Sequence, residues 1–220
     1  MNENVIKVGS NKNEFGGLHF TTKHTGKMKG VLSISSSCRE NPYCQKRINM
    51  KENSICKHCF ADAQMKRYRN MQECFKKNTE LLTSRVLDDN EIPHLETELF
   101  RIESFGDVQN WTQCANYFKI AKLNPQCKVA MWTKNPWLID ECIKHGFEKP
   151  ENLSLVFSSL MVNKPSRTKY DFFDKVFTVY SPDFIEENSV NVNCGARSSK
   201  SCQRCYTKTG SLEYVNEKLK

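Results

Sequence analysis

The sequence predicts an α/β protein: a full or partial β/α barrel-like parallel sheet, with cysteine-rich metal-binding loops where the chain enters the sheet and at its C-terminal end. Three observations predict it. Strand patterns alternate with helical patterns over most of the chain, the strands carry one apolar and one polar face, and C-x-x-C occurs twice, as Cys56/Cys59 and Cys202/Cys205.

Residues 1–28 are polar, with Lys, Asn, Gly16 and Gly17 and no clear periodicity. They read as an irregular N-terminal lead-in with a short hairpin, and residues 29–220 as a single domain. GVLSISSSC, 30–38, alternates as a strand and delivers Cys38 at its end. From Ala61 to about Leu87, Met65, Tyr68, Met71, Phe75, Leu82 and Val86 recur at helical spacing, which predicts one long amphipathic helix starting directly after Cys59.

Four further strands follow: TELFRIESF (97–105), CKVAMWT (127–133), NLSLVFSSL (152–160) and KVFTVYS (175–181). Helical patterns at 109–123 and 136–145 separate the first three, the second opening on Pro136 and closing at Gly146. Strands joined through helices imply parallel pairing with right-handed crossovers, in an open doubly wound sheet or a full or partial barrel.

The two faces favour the barrel. Leu32 and Ile34, Phe100 and Ile102, Val129 and Met131, Leu153, Leu155 and Phe157, and Phe177 and Val179 make the apolar face. Ser33, Ser35 and Ser37, Arg101 and Glu103, Trp132 and Lys134, Ser154 and Ser158, and Thr178 and Tyr180 make the other. A doubly wound sheet is apolar on both faces, whereas a barrel can turn a polar face onto a cavity; a solvated antiparallel sheet shows the same alternation.

The 220 residues, 38% of them apolar, are enough for a substantial core. The N-terminus lacks the regions of a signal peptide, and no apolar run reaches the ~18 residues a membrane span needs, so the expectation is a soluble, cytoplasmic protein without a membrane partner. The net charge of +8 concentrates near the cysteine pairs, with Lys57, Lys66, Arg67 and Arg69 by the first and Arg197, Lys200, Arg204 and Lys208 by the second. Such cations offset thiolate charge or attract a phosphate backbone; a solvated basic surface is the plain alternative.

Eleven cysteines, an odd number with close pairs, point to metal ligation rather than disulfides in a reducing compartment. Cys38, Cys44, Cys56 and Cys59 form one set and Cys194, Cys202 and Cys205 another, in loop sequence. Cys74, Cys114, Cys127 and Cys142 fall singly within helix or strand patterns and read as core residues, and His58 reads as pointing outward. Zinc closes its structural sites with four ligands, so two C-x-x-C pairs could share one ion. A division into four and three instead favours iron–sulfur, because a [4Fe–4S] cluster on three cysteines leaves one iron open.

KGVLSISSSC, NPYC, ICKHCFA, FRIESFGDVQN, KVAMWTKN, NLSLVFSS and CGARSSKSCQRCY, spread over about residues 27–206, together resemble a phage-encoded family known by its gene-product number, eighty-eight. That resemblance implies a phage protein working in the host cytoplasm, with a host protein among its possible partners. More loosely, cysteines after the first strand and Gly106-Asp107 after the second resemble a radical-SAM iron–sulfur barrel. That likeness implies one or two [4Fe–4S] clusters, with S-adenosylmethionine met by Gly106, Asp107, Ser158 and Ser159. It departs from the radical-SAM pattern in the eleven residues between Cys44 and Cys56 and in the single glycine before Asp107.

In a barrel, functional residues gather at the C-terminal strand ends. Glu103, Asp107 and Lys134 are therefore the candidate catalytic residues, and Arg101, Asn135 and Tyr180 the candidate substrate contacts; Arg101 and Glu103, two apart on one strand, could instead neutralise each other. The function expected is an iron–sulfur protein, radical-SAM-like if an enzyme, acting on an unidentified small molecule. The alternative is a structural-metal protein, zinc or iron–sulfur, that binds nucleic acid or a host protein without turnover.

Overall fold

The computed structural model describes residues 4–50 and 53–219. In chain order the elements are β1 (Val5–Lys7), β2 (Glu14–Phe15), β3 (Leu18–Thr21), β4 (Leu32–Ile34), α1 (Pro42–Ile48), α2 (Phe60–Arg67), α3 (Arg69–Ser84), β5 (His94–Glu96) and β6 (Leu99–Ile102). Then come α4 (Trp111–Lys122), β7 (Lys128–Thr133), α5 (Pro136–Lys144), β8 (Leu153–Ser158), β9 (Lys175–Tyr180), α6 (Pro182–Asn188), α7 (Ser199–Cys202) and β10 (Glu213–Lys218).

The main sheet runs β10-β9-β8-β7-β6-β4-β3-β2. From β4 to β10 every pair is parallel and neighbours follow chain order, while β3 and β2 continue it antiparallel. Among the described residues the ladder ends at β10 and at β2, so it is open and not a full barrel. Parallel strands in chain order with right-handed crossovers keep their helices on one side of the sheet. The core agrees: Leu32, Ile34, Phe100, Ile102, Val129, Met131, Leu153 and Leu155 share one apolar cluster with Leu82 of α3, Phe118 of α4 and Ile139 of α5.

The lead-in is more ordered than its composition predicts. Gly16 and Gly17, both at positive φ, turn a hairpin between β2 and β3, and a Cβ on Gly16 would stand 2.8 Å from the Glu91 carbonyl oxygen. β1 pairs with β5, and residues 1–3 lie outside the described residues. The long helix expected from Ala61 to Leu87 is two helices, because Tyr68 is extended (φ −119°, ψ 97°) and ends α2 while opening α3. The break lets Met65 and Phe75 both pack on Cys38, while Leu82 still reaches the sheet core.

β9 reverses one expectation. Ser158 pairs with Phe177 and Val156 with Lys175, so Lys175, Phe177 and Val179 share the face of Ser154 and Ser158. Thr178 and Tyr180 therefore point the other way, since a one-residue change of phase moves every side chain to the opposite face. Four of the six residues in KVFTVY are apolar or aromatic, which leaves either phase open to the sequence.

The helix-free face is covered by the C-terminal segment. Val31, Leu99, Ala130 and Tyr206 cluster there with Met28, Trp132 and Cys205. No helix among the described residues is long and apolar enough to cross a membrane.

Candidate functional site

Local capping explains where the first cysteines stand. In NPYC, Asn41 caps α1 by accepting from the Tyr43 and Cys44 backbone amides, and Pro42 starts the helix. Ser54 does the same for the short turn Ile55–His58, accepting from the Cys56 amide at 3.2 Å. Cys59 caps α2, with its sulfur 3.5 Å from the Asp62 amide. The loop leading to Cys38 is tied from behind: Asn78 donates to the Ser35 carbonyl at 2.9 Å, and the Ser37 amide donates to Thr79 Oγ1 at 2.8 Å.

At the other end, Cys202 closes α7 and Gln203, at φ +49°, turns the chain sharply into Arg204–Tyr206. Gln203 is anchored by Lys128 at 2.7 Å and by its own bond to Glu98 at 2.8 Å. The Cys194 amide donates to the Asn216 carbonyl, fixing that cysteine to β10.

All seven cysteines of the two sets line one cavity of about 490 Å³ at the C-terminal ends of the parallel strands. Cys114, Cys127 and Cys142 lie instead in the apolar core, and Cys74 packs partly buried behind Cys38. Cys38 is hydrogen-bonded to Cys59, and Cys44 and Cys56 are in electrostatic reach of each other; Cys205 is likewise in reach of Cys194 and Cys202. Cys59 is lowered to about 6, chiefly by the hydrogen bond with Cys38, which correspondingly pushes the Cys38 thiol up. Burial raises Cys44, Cys56 and Cys194, and pushes Cys205 up to about 11. Among the described residues, no three of His, Cys, Asp and Glu are drawn close enough to hold a single ion.

Cations do gather here, mostly from other parts of the chain than the sequence suggests. Lys134 is in reach of Cys44, Cys56 and Cys59, and Arg101 of Cys205, while the Lys27 Nζ lies 4.0 Å from Cys194 Sγ. Lys66 pairs with Asp62 at 2.6 Å and Arg69 with Glu73 at 3.0 Å, so these two serve neighbouring acids. Lys27 had no signal beyond its place in an irregular stretch, and Tyr43, Ser104, Trp132, Tyr206 and Glu217 also line the cavity. Tyr43 was legible only as the neighbour of Cys44.

Arg101, Glu103, Gly106, Asp107, Lys134 and Ser158 line the same cavity, and Ser159, Asn135 and Tyr180 lie outside it. Ser159 bonds Thr178 at 2.8 Å, on the far side of the sheet from Ser158. The Asn135 side chain donates to the Val108 carbonyl at 3.0 Å, and Tyr180 stacks on Phe184. His58, exposed, lies at the rim.

The Arg101 and Glu103 pair does not form. β6 ends at Ile102 and Glu103 takes φ +54°, which turns its side chain back toward α4. There its carboxylate accepts from Ser36 Oγ at 2.7 Å, Gln113 Nε2 at 2.8 Å and the Tyr117 hydroxyl. Burial still pushes it up to about 7. Gly106 packs against this group, since a Cβ would come within 2.5 Å of Glu103 Oε2 and 2.6 Å of Ser36 O.

Asp107 is a clamp between strand ends. One oxygen accepts from Thr133 Oγ1 at 2.6 Å and the Val108 amide at 2.8 Å, and the other from the Lys134 amide at 2.9 Å. Its fixed donors all belong to the fold, and burial raises its pKa.

A wider groove of about 1180 Å³ adjoins the cavity, sharing Lys27, His58, Cys59 and Phe105 and adding Lys23, Lys57, Lys66 and Lys218. Phe60 and Tyr68 are exposed on its wall, at 64% and 46%.

Compared with known proteins, residues 4–205 match the model of a family described as gene product 88. Among curated proteins and among solved structures, nothing matches the chain.

Proposed function

The chain belongs to the phage gene product 88 family, and we propose that it is an iron–sulfur enzyme whose cavity holds its clusters on two cysteine sets. One observation carries the reading: of eleven cysteines, the seven of the two sets converge on one cavity, as four and three, and the other four do not. The donor set fits the group. Thiolates are the ordinary ligands of iron–sulfur clusters, and a cubane spreads its ligands over four irons rather than drawing them round one ion. Cys38, Cys44, Cys56 and Cys59 would hold one cluster and Cys194, Cys202 and Cys205 another with one iron free of cysteine. When bound, such a cluster supplies one electron at a time and an open coordination position for S-adenosylmethionine or substrate.

The chain's own groups suit that use. Lys134, Lys27 and Arg101 offset thiolate charge on opposite sides of the cavity, which favours the ligating form of cysteine. Parallel strands in chain order, with helices on one side and a cysteine-lined cavity on the other, support a partial-barrel reading. Asp107 and Glu103 are saturated by donors of the fold and act here as positioning residues, Asp107 holding the Lys134 loop and Glu103 holding Ser36 two residues before Cys38.

A second reading, a structural metal with nucleic acid on the outer groove, draws on the lysines there and on exposed Phe60 and Tyr68, a pairing that suits single strands. One experiment separates the two. The electron paramagnetic resonance spectrum of the protein reduced with dithionite should change when S-adenosylmethionine is added. A cluster signal that is identical with and without it would contradict an open iron available to this cofactor and leave the second reading standing.

A further inference from the structure

Three buried polar atoms on the cavity side of the sheet lack a well-formed hydrogen bond among the described residues: Arg101 Nε, Ser154 Oγ and Tyr206 Oη, the last facing the Arg101 guanidinium. They are neighbours. Arg101 pairs in register with Ala130, Ala130 with Ser154, and Tyr206 packs on Ala130 from the C-terminal segment, with its hydroxyl beside the Arg101 guanidinium. The small Ala130 side chain in the middle of this row leaves the three polar groups unseparated by bulk.

Arg101 also lacks a carboxylate of its own. Among the described residues it enters no ion pair; Cys205 and Glu217 are in its electrostatic reach, but Cys205 is one sulfur of the cluster set and Glu217 is held by Lys27 at 2.6 Å. Its guanidinium is stacked over Trp132, which fixes its plane. His24, on the same side, donates to or accepts from Ser33 at 2.8 Å and carries no compensating negative charge. A buried cation without a carboxylate partner is costly, and an ordered water would satisfy the hydrogen bonds while leaving the charge.

We infer that the cavity takes a ligand with an anionic headgroup, a carboxylate or a phosphate, seated on Arg101 beside Trp132 and Tyr206. All three residues line the cavity, whose volume suits a small molecule. The planar fork of arginine matches both headgroups, and the Tyr206 hydroxyl adds a donor of the right kind. The inference names the ligand class of the cavity to which the cluster reading assigns the chemistry, and it rests on that cavity being a ligand site.

The test is thermal unfolding of the protein, purified without air, titrated with sodium phosphate or sodium acetate against sodium chloride at matched ionic strength. At least one of the two anions should stabilise the wild type saturably, and which one responds identifies the headgroup. Arg101→Met should be at least as stable as wild type in chloride, since it removes a buried charge that has no carboxylate partner. It should also weaken the anion response at least tenfold, about 1.4 kcal/mol. Tyr206→Phe, which removes only a hydroxyl, should weaken it severalfold and decides the matter if Arg101→Met does not fold. A response no larger than that to chloride, or one unchanged in these variants, overturns the inference. Iron and sulfide measured on the same samples keep the two readings apart. Arg101-dependent anion binding without iron removes the clusters alone, and iron without anion binding removes the headgroup site alone.

Discussion

Cys194→Ala should lower bound iron and sulfide by about half, from roughly eight of each per chain to roughly four, and Cys56→Ala should do the same to the other half. The expectation follows from the division of the cavity's cysteines. Cys194, Cys202 and Cys205 are anchored to β10 and to the turn at Gln203, whereas Cys38, Cys44, Cys56 and Cys59 hang on the caps of α1 and α2 and on the loop held by Asn78 and Thr79. Loss of one ligand therefore leaves the other scaffold intact. Complete loss of iron in either variant would mean that the sets do not load independently, as when metal binding and folding are one event.

Glu103→Gln should remove a fall in stability of about 3 kcal/mol between pH 4.5 and 7. The carboxyl is 2% exposed, and burial lifts it from an ordinary 4.5 to about 7. A group whose folded pKa lies above its unfolded one binds more protons when folded, so its contribution is complete below about 4.5 and is lost as pH rises through 7. His24 slopes the other way, because burial and Arg101 lower it to about 4 and the folded form then binds fewer protons up to the ordinary 6.5. Raw wild-type stability is thus flattened. The informative quantity is wild type minus Glu103→Gln in urea unfolding at each pH, and a difference that does not change from pH 4.5 to 7 would show a carboxyl that titrates normally.

The alternation of strand and helix was legible because its signals are local and redundant. Leu32 and Ile34, Phe100 and Ile102, Val129 and Met131, and Leu153 and Leu155 each recur at period two within their strand, and Pro136 and Gly146 bracket α5. β10 was invisible, since EYVNEK buries only Val215 well and owes its place to pairing with β9. The phase of β9 was ambiguous because both of its faces are apolar in sequence, and this misplaced Tyr180. The expectation that Arg101 faces Glu103 assumed that the strand continues, and one left-handed residue at 103 cancels it. The seven cavity cysteines were readable from spacing and loop context, and Arg101 and Lys134 from their places near the strand ends, but not that these cations face the cysteines. Lys27 had no signal at all, because the three come from remote segments that only the folded sheet brings together.

Metal and acid-labile sulfide content, with a visible absorption spectrum, on wild-type protein purified without air tests the central claim most directly. The account predicts iron and sulfide in equal amounts, near four of each for every cluster bound, with the broad brown absorption of thiolate-ligated iron. Zinc without sulfide would contradict it, and would leave the cysteine cavity as a structural metal centre beneath a basic groove.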